Sequence, residues 1–120
     1  MTESLEDYLE MVLFLSEEGP VRVTDIAYRL QVSKPSVLSA LKSLEEQGLL
    51  EHRRYRTVLL TSKGKQRAAE IRSRHRFLTD FLINIVGVTS GTAERDACKM
   101  EHVLSPETLL KMQKLTAGKN

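Results

Sequence analysis

Cys98, Glu101 and His102 stand at positions i, i+3 and i+4. On a helix that spacing places all three side chains on one face, pointing the same way. As thiolate, carboxylate and neutral imidazole they form a mixed sulfur, oxygen and nitrogen donor set suited to a transition ion. Three donors leave a typical site short, so further ligands must come from elsewhere in the chain. Asp7 and Glu10 repeat the i, i+3 spacing near the start, and His75 lies where a basic stretch turns apolar. Singly, each has a plain reading: first-turn acids favour the helix dipole, a lone cysteine packs as a small apolar group, and a lone histidine sits at a boundary. Together they point to one metal site built from Asp7, Glu10, His75, Cys98, Glu101 and His102.

The charge distribution supplies the second clue. The net charge of +2 hides three zones. Residues 1–20 carry six acids and no Lys or Arg; residues 21–76 carry 13 Lys/Arg against 5 Asp/Glu; residues 77–120 balance at 5 against 5. A basic middle behind an acidic head suits a polyanion partner. A metal site beside a DNA-binding element is a sensor.

The elements that must position these groups follow from apolar spacing and capping residues. Ser4 opens a capping-box-like start, with Asp7 in place of the usual Glu or Gln, and Leu5, Tyr8, Leu9, Val12, Leu13 and Leu15 give helical spacing up to Gly19-Pro20. Val21-Arg22-Val23 is a short extended piece, and Thr24 caps a second helix through about Leu30, with Ile26, Ala27 and Leu30 inward. After a turn at Gln31-Val32, Ser33 caps a third helix with Pro35 in its first turn. It runs to about Gln47, with Val37, Leu38, Leu41 and Leu44 toward the core and Gly48 as its stop. Helix, short turn and helix make a helix-turn-helix. Leu49 to His52 and Thr57 to Leu60 then read as a β-hairpin with the cationic tip Arg53-Arg54-Tyr55-Arg56, the wing of a winged helix-turn-helix.

Thr61 or Ser62 caps a long linking helix over about 62–86, basic in its first half and apolar in its second, in which Gly64 is tolerable and Gly87 is the stop. A helix over about 92–104 carries the donor triplet, and Ser105-Pro106-Glu107 starts a last one. In the helix-turn-helix, base edges fall to Ser33, Lys34, Pro35, Ser36 and Ser39, small polar groups with one cation and a ring able to meet a thymine methyl. Arg53, Arg54, Tyr55 and Arg56 suit phosphate or minor-groove contact.

Composition sets limits. With 120 residues and 41% hydrophobic content the chain supports a small core, for which oligomerisation is a natural supplement. No apolar run approaches the roughly 20 residues of a bilayer span, and the acidic start lacks the pattern of a secretion signal. One cysteine excludes an internal disulfide, and a free thiol kept for chemistry fits a reducing cytoplasm.

Several blocks, in order, resemble the diphtheria-toxin-repressor family of metal-dependent transcriptional regulators, including its manganese-responsive branch. They are Leu5-Glu6-Asp7-Tyr8-Leu9-Glu10, Val32-Ser33-Lys34-Pro35-Ser36-Val37, Leu59-Leu60-Thr61-Ser62-Lys63-Gly64, Arg74-His75-Arg76 and the run from Cys98 to Ser105. The resemblance implies a mainly α fold: a winged helix-turn-helix over 1–72, then a helical dimerisation and metal-binding domain over 73–120. It implies a homodimer on palindromic operator DNA, activated by divalent metal, usually to repress metal-uptake genes. By position, Glu10, Cys98, Glu101 and His102 match the activating site, His75 a neighbouring or shared site, and Asp7 a ligand of the manganese branch. The iron-responsive members have methionine at the position of Glu10, and the manganese branch has glutamate at that of Cys98, so the chain is a hybrid. The extra carboxylate favours Mn(II), while the thiolate favours Fe(II), Co(II) or Zn(II). Thr79 replaces a glutamate and Glu94 a histidine of the iron type, which leaves a second site of His75, Glu94 and Asp7 thinly supplied. The chain ends soon after the dimer helices, without the family's C-terminal Src-homology-3-like domain.

The expected function is therefore a cytoplasmic, metal-dependent transcriptional regulator whose partners are double-stranded operator DNA and a second copy, with no membrane and no small organic substrate. A constitutive winged-helix protein without metal sensing is the alternative. A metalloenzyme using Glu101 as base fits less well, because no substrate-binding glycine loop or nucleophile accompanies the site.

Overall fold

The structure, a computed structural model, describes residues 3–53 and 57–117. The chain forms two compact units, Met1–Glu70 and Ile71–Asn120. The first contains α1 (Glu3–Ser16), β1 (Val21–Arg22), α2 (Val23–Leu30), α3 (Lys34–Glu46), β2 (Leu50–His52), β3 (Thr57–Leu60) and the start of α4 (Ser62–Phe81). The second contains the rest of α4, a π-helical turn at Leu82–Val86, α5 (Ser90–Val103) and α6 (Pro106–Ala117). This is a mainly α architecture with a winged helix-turn-helix in front.

In the first unit the strands form one antiparallel sheet in the order β1-β3-β2, with Leu50 opposite Leu60, His52 opposite Val58, and Val21 opposite Val58 on the other edge. Leu9, Val12, Ile26, Val37, Leu41, Leu44, Leu50 and Val58 are fully buried and form its core. The helix-turn-helix geometry comes from local bonds. α2 ends in a Schellman arrangement in which Val32 N–H donates to Ala27 O and Gln31 N–H to Tyr28 O. Gln31 takes the left-handed conformation that glycine usually fills, with φ of 57°. α3 ends the same way, with Leu49 N–H on Leu44 O and Gly48 at φ of 75°. Ser33 caps α3, its hydroxyl accepting from Ser36 N–H at 3.2 Å.

Three sequence expectations change. α2 begins at Val23, so Thr24 lies inside its first turn, and Asp25 closes the start by accepting Arg22 N–H at 3.1 Å. Leu38 does not face the core: it is 46% exposed, because the helical period puts Val37, Leu41 and Leu44 on one side and turns their neighbour away. Gly64 is required rather than tolerated. A Cβ there would lie 1.8 Å from the Leu49 carbonyl oxygen, so only glycine lets the start of α4 pass the α3–β2 connection. Thr61 locks the same corner, donating to Gly48 O at 2.7 Å and accepting Gly64 N–H at 3.0 Å.

In the second unit Leu78, Leu82, Ala93 and Ala97 form a small core against which Phe77, Ile83, Val88, Met100, Leu104, Leu109 and Met112 pack. The long helix reaches Val86 as expected, but its last turn is π-helical before Gly87 stops it. α5 starts two residues earlier than the apolar spacing indicates, because Thr89 caps it and accepts Thr92 N–H. Ser105 caps α6, accepting Thr108 N–H at 3.1 Å. Val86, Val103, Leu110 and Leu115 remain exposed.

Candidate metal centre and nucleic-acid interface

The candidate ligand residues of the second unit meet because α4 and α5 contribute to one small apolar core. Glu94, Ala97 and Glu101 fall at i, i+3 and i+7, on one face of α5. Ala97 and its neighbour Ala93 are fully buried and share one apolar cluster with Leu78 of α4. His75 on α4 then spans the two carboxylates, with Nδ1 2.6 Å from Glu101 Oε2 and Nε2 2.6 Å from Glu94 Oε1. Thr79, one turn on, donates to the His75 carbonyl at 2.8 Å.

This arrangement dictates a protonation state. A neutral imidazole has one N–H, whereas both His75 nitrogens face a carboxylate oxygen, so with both acids ionised both contacts are hydrogen bonds only when the ring is imidazolium. Burial opposes that charge, but the hydrogen bonds and charges of Glu94 and Glu101 outweigh it and hold the His75 pKa above its ordinary 6.5. Glu101 is the centre of the cluster. Its side chain is 1% exposed, and its Oε1 lies 3.3 Å from His102 Nε2, whose side chain is equally buried. A buried carboxylate between two imidazoles is a place where positive charge is stabilised.

Cys98 lies one turn before Glu101 on the same helix, and its thiol is exposed. Asp7 and Glu10 are half-buried on α1, in the first unit. The second unit thus brings together His75, Glu101 and His102, with Cys98 alongside on α5. It also adds Glu94, which spacing alone left at the margin. The donor set of carboxylate, imidazole and thiol fits a divalent transition ion.

The candidate nucleic-acid residues belong to the first unit. Ser33, Lys34, Pro35, Ser36 and Ser39 are all exposed at the start of α3. Ser33 and Ser36 are tied to each other, the Ser33 hydroxyl donating to Ser36 Oγ at 2.9 Å. Arg53 is exposed on the wing and pairs with Glu51 at 3.2 Å. Arg54, Tyr55 and Arg56 lie outside the described residues.

Comparison with known proteins agrees with both halves. Residues 1–58 match the N-terminal DNA binding domain of the iron dependent repressors, and residues 61–117 match their metal binding and dimerisation domain. An uncharacterized HTH-type transcriptional regulator of Methanocaldococcus jannaschii is 35% identical over 115 residues, covering 94% of this chain and 92% of that protein. The transcriptional regulator MntR of Escherichia coli O6:H1 is 44% identical over 108 residues, 89% of this chain and 69% of its own length. Among solved structures, the manganese regulator SloR superposes with a TM-score of 0.83 at 30% identity, covering 98% of this chain and 55% of that one. A manganese-dependent transcriptional repressor in complex with manganese gives 0.80 at 28% identity, covering 92% and 51%. The chain spans about half the length of these two solved proteins. No helix among the described residues is long and apolar enough to cross a membrane. The chain belongs to the iron-dependent repressor family of metal-responsive transcriptional regulators, which are DNA-binding proteins rather than enzymes.

Proposed function

We propose that this chain is a cytoplasmic metal-activated repressor that binds palindromic operator DNA as a homodimer, with Mn(II) or Fe(II) as its ion. The observation that carries the metal half is the buried Glu101 carboxylate held between His75 and His102. A divalent ion supplies positive charge and directional bonds to such donors. Cys98, Glu101 and His102 present sulfur, oxygen and nitrogen from one helix, and His75 supplies a further imidazole. Asp7 and Glu10 complete the ligand set from α1. An ion that binds the DNA-competent state better than its alternatives shifts the population toward it.

Ser33, Lys34, Pro35, Ser36 and Ser39 meet base edges, and Arg53, Arg54, Tyr55 and Arg56 meet the backbone. The exposed apolar side chains Val103, Leu110 and Leu115 suit contact with a second copy. The carboxylate at position 10 with a thiolate at 98 leaves Mn(II) and Fe(II) in competition. Anaerobic titration of operator binding against Mn(II), Fe(II), Co(II) and Zn(II) tests the reading, since oxidation of Cys98 mimics a loss of affinity. Operator affinity that is the same with every ion and with none sinks it.

A further inference from the structure

We infer that Leu38 is a specificity-determining residue of the recognition helix, reading the C5-methyl group of a thymine from a position between Lys34 and Lys42. The inference rests on the DNA-binding reading of the first unit. α3 buries Val37, Ala40, Leu41 and Leu44 and presents Lys34, Pro35, Ser36, Leu38, Ser39 and Lys42 to solvent. Leu38 is 46% exposed, so the core does not account for it. A single exposed leucine is ordinary on a protein surface. This one stands on the helix that a helix-turn-helix lays into the major groove.

Three features narrow what it does there. Lys34 and Lys42 lie one turn before and one turn after Leu38, so an apolar side chain is set between two cations on one stripe. The Ser33 and Ser36 hydroxyls already take part in the cap of α3, so apolar readout from the second turn adds to the polar contacts of the first. An isobutyl group neither donates nor accepts hydrogen bonds. The feature of a base edge in the major groove that it can match is therefore the thymine methyl. Lys42, reaching to a phosphate one turn on, sets together with the base contact of Lys34 the depth at which Leu38 enters the groove.

The test begins with the full chain, which selects duplexes from a random pool anaerobically, in the presence of Mn(II) and of Fe(II). Each thymine of the selected duplex is then replaced in turn by deoxyuridine, which deletes only the methyl group. The parent chain is expected to lose about fourfold in affinity at one thymine per half-site, the value of one buried methyl-sized group. Leu38→Ala should be insensitive to the methyl at that position and respond as the parent does at all others, with unchanged thermal stability. Identical methyl profiles for parent and variant overturn the inference while leaving DNA binding intact. A pool that fails to enrich with either ion overturns the DNA-binding reading, and the role of Leu38 falls with it.

Discussion

Both units have an apolar core, and the second adds a fully buried carboxylate that faces two imidazoles. In the first, the largest fully buried side chains are apolar, among them Leu9, Ile26, Leu41 and Leu44, and the proposed DNA contacts Ser33, Lys34, Pro35 and Ser39 stand exposed outside that core. In the second, a carboxylate is as deeply buried as any leucine: Glu101 is 1% exposed and meets His75 and His102. Scaffold and function are thus separate sets of residues in one unit and overlapping sets in the other. Surface changes in the DNA-binding unit should alter recognition with little effect on folding. Changes at the metal centre should move ion affinity and stability together, because charges removed from water must be balanced.

The largest effect is expected where the first unit has no functional group at all. Gly64→Ala drives a Cβ onto the Leu49 backbone, which no flexible side chain can relieve. It should cost about 3 kcal/mol or more, read as a lower urea midpoint of the first unit's transition. An unchanged midpoint removes the claim that the scaffold there depends on backbone fit alone.

Glu101→Gln is the matching change in the second unit. It preserves size, deletes the charge that faces two imidazoles and replaces one acceptor oxygen with an amide donor. Ion affinity should fall by about a hundredfold, judged against the smaller losses that outer partners of metal sites produce. Weak, metal-independent DNA binding should persist, since α3 and the wing are untouched. Isothermal titration with Mn(II) reads the first and an electrophoretic shift the second. If affinity for the ion holds, Glu101 is a structural acid and the overlap of scaffold and function disappears.

The same contrast explains what the residues alone could reveal. Ser33 with Pro35, the basic hairpin, Gly48 and Ser105-Pro106 are local signals, and the structure places their elements as the spacing indicates. The face of Cys98, Glu101 and His102 is equally local, since helical periodicity alone defines it. Glu94 is harder to place, because its partner His75 lies 19 positions away on another helix. Leu38 was misplaced because it adjoins Val37 in sequence, although one residue of helix is a 100° rotation. Gly64 looked replaceable for the reason that close backbone approach leaves no trace in propensity. What escapes the sequence in each case is a distance between elements.

Ser33→Ala tests the first unit at lower stakes. The cap of α3 loses the oxygen that accepts Ser36 N–H, for a cost of about 1 kcal/mol. The Ser36 hydroxyl loses its partner too, so the start of the recognition helix should fray and operator affinity should drop more than global stability does. Equal losses in thermal melting and operator binding point to a cap with no part in recognition.

The smallest expected effect is a pH dependence confined to the second unit. With no metal added, the folded protein holds the His75 proton more tightly than the unfolded chain, because Glu94 and Glu101 outweigh the burial of the ring. A raised folded pKa means that the folded state binds the extra proton. The stabilisation is therefore fully present below the unfolded value of about 6.5 and fades as pH rises through the folded pKa. Urea midpoints of the metal-free chain should decline modestly across that window, and His75→Gln should flatten the slope. Added Mn(II) should reverse the trend, because protons and the ion compete for the same donors and ion affinity rises with pH. A slope that survives His75→Gln transfers the effect to another group and separates the histidine from the cluster it bridges.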